Sequence, residues 1–204
     1  VTAGIFPQWV PFQSMGYPQA LNLQMGVYYP PFWIFPLLRI PYTLTAAVVV
    51  QCLHVLAGSI GMFLLLRRCC KSAQYAVVGA VAFQFFGGFY CNAEHADIVR
   101  AFALTPWLFY AYSLGTTSSS LPRRVLMIPL VVYMLATGGY PGNLVSGLFV
   151  MGLFVLGQVT AHCSTATNLR SSLDTAGRIF ALTGLGLAMA VVNLGPAWAE
   201  RGYL

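Results

Sequence analysis

Charge is what this sequence has least of: 10 Lys and Arg and 4 Asp and Glu in 204 residues, or 7%, against 58% hydrophobic residues. With a mean hydropathy of +0.75, the chain carries more apolar surface than one soluble core of this size can hide. It belongs in a lipid bilayer, its first expected partner. Paired cysteine spacing is also missing. The five cysteines form no C-x-x-C, which removes a zinc or thioredoxin-like reading. Cys69 and Cys70, beside Arg67, Arg68 and Lys71, read as ordinary thiols at a helix end, with lipidation at a cytoplasmic face as the alternative. An initiating methionine and a charged segment leading into an apolar one are absent too, so the chain reads as an interior piece of a longer protein. The net charge of +6 is dispersed in small clusters between apolar runs, a pattern that sets topology and does not bind nucleic acid.

The apolar runs predict an all-α, polytopic transmembrane bundle with about six crossings, at 42–66, 72–90, 99–114, 125–138, 143–161 and 178–195. The first is uncharged over 25 residues, enough to cross a hydrocarbon core of about 30 Å. The third and fourth contain Pro106 and Pro129 and are short for straight lipid-facing helices, so they are expected to line protein or a cavity. With the N-terminus outside, Arg67, Arg68, Lys71, Arg123, Arg124, Arg170 and Arg178 fall inside, seven of the ten basic residues. Residues 1–41 and 91–98 then lie outside. Residues 1–41 form a separate aromatic and proline-rich loop ahead of the helical domain, 42–204.

Within that loop, residues 6–36 are rich in proline and carry no charge. Proline removes backbone donors and extends the residue before it, so no spanning helix is expected there. Trp9, Tyr17, Tyr28, Tyr29 and Trp33 suit either an anchor at the lipid headgroups or a surface on which a sugar stacks. Gly16-Tyr17-Pro18-Gln19 is echoed by Gly139-Tyr140-Pro141-Gly142. The glycines of 138–142 predict a tight turn using positive φ.

The scarce charge is gathered in "CNAEHADIVRAFALTPW", where Glu94, His95, Asp97 and Arg100 fall within seven positions. On a helix, Glu94, Asp97 and Arg100 lie near one face. A structural reading pairs Asp97 with Arg100 at a helix start capped by Asn92 or Glu94. It leaves Glu94 and His95 without a role. His54, alone in "VVVQCLHVLAGS", is expected to be neutral and bonded to a neighbouring helix. Gly58, Ser59 and Gly61 suit close helix packing.

"QWVPFQSMGYPQALNLQMGVYYPPFWIF" resembles the W-x-P, G-x-P, N-x-Q and Y-P pattern of YfhO-like bacterial membrane proteins, within the GT-C class of glycosyltransferases. "GAVAFQFFGGF", "EHADIVRAFALTPWLFYAYSL", "LATGGYPGNL" and "VVNLGPAWAE" follow in the same order, and Tyr140 stands where that family often has histidine. The resemblance implies transfer of a sugar from a polyprenyl-phosphate donor to a cell-envelope acceptor outside the plasma membrane. That class carries an acidic residue in its first outer loop, upstream of this chain. Such chemistry needs a base for the acceptor hydroxyl and positive charge for the departing phosphate. Glu94 and Asp97 are the candidate bases, with His95 as a proton relay. Arg100, Tyr17, Tyr28, Tyr140 and Asn92 are the candidate substrate contacts. A divalent cation is compatible with the class, although one histidine and two acids make a weak ligand set. A transporter or lipid flippase, and a noncatalytic assembly subunit, are the alternatives.

Overall fold

The computed structural model describes residues 26–70, 72–115, 121–162 and 166–199. Every regular element among them is helical. A 3-10 turn, Pro30–Trp33, leads into α1, Ile34–Leu37. Then follow α2, Leu44–Cys69; α3, Ala73–Gln84; α4, Gly87–Cys91; α5, Ala96–Gly115; α6, Leu121–Gly138; α7, Pro141–His162; and α8, Ala166–Ala199.

The expected crossings find helical counterparts, but not six spanning helices. Among the described residues one helix, α2, is long and apolar enough to cross a membrane, with a hydropathy of 2.1 in its most apolar window. Shorter apolar stretches run Leu126–Gly138 and Pro141–Gly157. The second expected crossing is broken at Phe85 and Phe86, so α3 has 12 residues, roughly 18 Å of helix. α5 includes Asp97 and Arg100. α8 begins well before the expected 178 and takes in Arg170, Asp174 and Arg178.

Local chemistry explains where α2 starts and stops. The Thr43 hydroxyl accepts from the Ala46 amide at 3.2 Å, capping the first turn. Arg67 and Arg68 lie in the last turn, where the negative end of the helix dipole favours their charge. Between these ends α2 packs flush against α5. A Cβ on Gly58 would lie 2.9 Å from the Ala103 Cα, and one on Gly61 would lie 2.7 Å from the Trp107 indole nitrogen. That nitrogen donates to the Ala57 carbonyl at 2.8 Å. The small residues Gly58, Ser59 and Gly61 therefore set the helix separation, as their composition predicts.

Helix α5 is the axis of the bundle. Ala101, Leu104, Leu108, Ala111 and Tyr112 are buried against Ile128, Val131, Val132 and Leu135 of α6, Met151 and Val155 of α7, and Ile179 of α8. Tyr112 donates to the Thr183 hydroxyl at 3.2 Å, and that hydroxyl donates to the Ile179 carbonyl. Both polar groups are thus satisfied inside the apolar core. The surrounding helices turn large apolar side chains outward, including Val48, Leu53 and Leu56 of α2, Val78 of α3 and Phe149 of α7.

Two ends of this bundle differ in chemistry. The start of α5, the end of α6 and the segment before α2 meet at what we call the aromatic end. At the opposite, basic end, Arg68 donates to the Ser113 carbonyl at 2.9 Å.

Candidate functional site

The turn between α4 and α5 is built mainly from backbone and amide bonds. The Asn92 amide donates to the Gly88 carbonyl at 2.9 Å, so it fastens its own turn and does not cap α5. The His95 amide donates to the Asn92 carbonyl. From α2, the Gln51 amide donates to the Ala93 carbonyl at 2.8 Å, tying the turn to the bundle. On its outer side, the Glu94 carboxylate and the His95 ring are both exposed and stand 3.8 Å apart. Asp97 follows in the first turn of α5, half-buried. There its negative charge favours the helix N-terminus.

One helical turn later the polarity of the surroundings changes. Arg100 is 5% exposed, which is uncommon for a charged side chain unless it has partners. Its Nε donates to the Gly138 carbonyl at the end of α6. Its guanidinium lies 5.0 Å from the centre of the Phe32 ring and 5.8 Å from that of Tyr29. Asp97 contributes an opposite charge nearby. Hydrogen bonding, aromatic faces and a neighbouring carboxylate together compensate for removing the guanidinium from water.

Tyr29 joins three helices at this point. Its hydroxyl is 2.8 Å from the His54 Nε2 of α2, and its ring faces Arg100 of α5. The same ring covers Gly138 of α6, where an added Cβ would collide with its edge. Burial pushes the Tyr29 phenol above its ordinary pKa, and the charge of Arg100 only partly opposes that rise. The phenol is therefore neutral and able to donate. His54 is bonded not to a neighbouring helix, as its position in α2 predicts, but to the segment preceding it.

The sequence-derived site residues divide accordingly. Asp97 and Tyr140 meet through the main chain, where the Tyr140 amide donates to the Asp97 carbonyl at 3.3 Å. The Tyr140 side chain is 39% exposed. Tyr28 contributes its carbonyl, which accepts from the Tyr133 hydroxyl at 3.1 Å. Arg100 is enclosed, whereas Glu94 and His95 face outward. Tyr17 lies outside the described residues.

The expected use of positive φ by the glycines of 138–142 is not observed. Among the described residues, positive φ occurs at Gly26 and Arg39. Gly138 is needed for the space that the Tyr29 ring fills. Phe32 is the member of this constellation that the sequence did not single out; Tyr29 reads there as an anchor or stacking ring and Gly138 as part of a turn, not as partners of Arg100. A lone histidine in an apolar helix signals a missing partner, but nothing in the spacing names Tyr29 as that partner.

Among the described residues no three His, Cys, Asp or Glu side chains are grouped to hold a metal ion. The Glu94 and His95 pair does not by itself form a cation site. No protein-family model, curated protein or solved structure matches the chain.

Proposed function

We propose that this chain is part of a polytopic bacterial membrane protein, resembling the YfhO-like family, that transfers a sugar from a polyprenyl phosphate to a cell-envelope acceptor. The aromatic end faces the outside of the plasma membrane. The observation that carries this reading is the half-buried Asp97 one helical turn from the buried, aromatic-covered Arg100. The bundle that holds them also turns many large apolar side chains outward.

In this reading Asp97 accepts the proton of the acceptor hydroxyl as its oxygen attacks the anomeric carbon. The bond from that carbon to the phosphate oxygen breaks, and polyprenyl phosphate departs with the electron pair. The charge of Arg100 stabilises the leaving phosphate. Glu94 is the alternative base, with His95 positioned to relay its proton. Tyr140 and Tyr28 provide rings for the sugar at the same end, as Tyr17 would in the preceding loop.

The experiment is sugar transfer in membranes carrying the protein, supplied with labelled polyprenyl-phosphate sugars. Wild type is compared with Asp97→Asn and Glu94→Gln at matched expression. Loss of roughly a hundredfold or more in Asp97→Asn is expected for removal of a general base. Product unchanged from wild type in both variants would assign these carboxylates to capping and solvation. One feature favours transport instead: the break between α3 and α4 makes a discontinuous helix, as many carriers have at their binding sites. Movement of labelled headgroups across the membrane, with no transfer product from any donor, would support that second reading.

A further inference from the structure

The segment Val27–Leu38 holds only short helical elements. Its two helical elements have four residues each, and Trp33, Leu37 and Leu38 are 49%, 81% and 57% exposed. It lies between the two left-handed residues among those described, Gly26 at φ 64° and Arg39 at φ 55°. Glycine takes this conformation freely, whereas arginine seldom does. Direction changes are therefore concentrated at the two ends of the segment. Between them, Tyr29 is buried at 1% exposure.

The bond that fixes Tyr29 has a defined polarity. The His54 Nδ1 is 2.7 Å from the Val50 carbonyl, which can only accept, so Nδ1 carries the ring hydrogen. In the neutral ring Nε2 is then an acceptor, and Tyr29 donates to it across 2.8 Å. With this bond in place, Tyr29 and Phe32 lie against the guanidinium of Arg100. The Arg100 Nε remains directed to the Gly138 carbonyl on the bundle side. The guanidinium is thus oriented by α6 and covered by the segment.

We propose that Val27–Leu38 is a hinged strap, tied to α6 where the Tyr28 carbonyl accepts from Tyr133 and latched to α2 by the Tyr29–His54 hydrogen bond, and that release of the latch presents Arg100 to a phosphate-bearing ligand. The phosphate would accept charge-assisted hydrogen bonds from a planar donor whose orientation the Gly138 carbonyl already sets. That this phosphate belongs to a lipid rests on the proposed function; the latch itself does not.

The test measures the rate at which phenylglyoxal modifies individual arginines of the full protein in lipid nanodiscs, read by mass spectrometry and without any sugar donor. Exposed Arg39 reports reagent delivery, and Arg68 at the basic end reports general loosening. In wild type Arg100 reacts far more slowly than Arg39. Tyr29→Phe retains the ring and removes the latch bond, so Arg100 should react roughly fivefold faster, as expected for one lost hydrogen bond. His54→Phe should raise the rate similarly. The double variant should add little more, because both substitutions remove the same bond.

Unchanged Arg100 rates in both single variants and in Tyr29→Ala would overturn the latch. Equal acceleration at Arg68 would also overturn it, by assigning the effect to the whole fold. In Tyr29→Phe, polyprenyl phosphate in the nanodisc should slow modification of Arg100. The same protection by inorganic phosphate alone would assign the site to a free anion, and protection by neither would overturn the phosphate assignment. A protein that transfers no sugar still gives a full answer about the latch.

Discussion

Arg100 and Arg68 lie toward opposite ends of one bundle, and both donate to a main-chain carbonyl, yet their surroundings differ. Arg68 is exposed in the last turn of α2 and reaches Ser113 across to α5. Arg100 is enclosed by Tyr29 and Phe32 while bonded to Gly138. At the basic end, solvent and the helix dipole support the charge. At the aromatic end, that support comes from specific protein groups. An arginine that needs several elements for its solvation also makes the arrangement of those elements depend on it.

The largest expected effect tests this contrast directly. Arg100→Met should lower stability by about 2–4 kcal/mol, through loss of a charged hydrogen bond and of desolvated aromatic contacts. Arg68→Met should change it by less than about 0.5 kcal/mol. Thermal unfolding in detergent micelles measures both, and equal losses would erase the distinction between the ends.

A smaller effect distinguishes two glycines. At Gly138 a new methyl would strike the Tyr29 ring, so Gly138→Ala should destabilise by about 1–3 kcal/mol unless the strap shifts. Gly177 in α8 has open space around the added Cβ, and Gly177→Ala should stabilise by roughly 0.5–1 kcal/mol through helix propensity. Opposite signs in the same unfolding assay would sharpen the comparison, whereas a stabilising Gly138→Ala would break it. The smallest effect concerns the hinge. Arg39→Gly removes left-handed strain but adds freedom to the unfolded chain, so the two nearly cancel and the change should stay within about 0.5 kcal/mol. A large loss would mean that the Arg39 side chain itself holds the strap.

The sequence made the helical class and much of the segmentation legible because apolar runs and short connectors are local signals. The run at 42–66 anticipates α2, and Gly58, Ser59 and Gly61 mark its packed face. The interruption at Phe85 and Phe86 was not legible because both residues are as apolar as the helix around them. The charged turn was visible through the rarity of charge, but its internal division was not. Whether Arg100 faces inward and Glu94 outward depends on which neighbouring helices cover the start of α5. The partner of His54 was hidden for the same reason: Tyr29 lies 25 positions away, in a proline-rich stretch that resembles an interfacial anchor. Exposed Trp33 fits that resemblance, while Tyr29, four residues earlier, has a different role.

The flush seam between α2 and α5 has a mechanical consequence. At Gly58 the two backbones meet without an intervening layer of side chains to compress, and the indole of Trp107 bolts the seam one turn farther along. Such a pair behaves as a single stiff beam with little play between its halves. A ligand pressing on the aromatic end would therefore displace the proposed strap, between Gly26 and Arg39, before it could spread the helices.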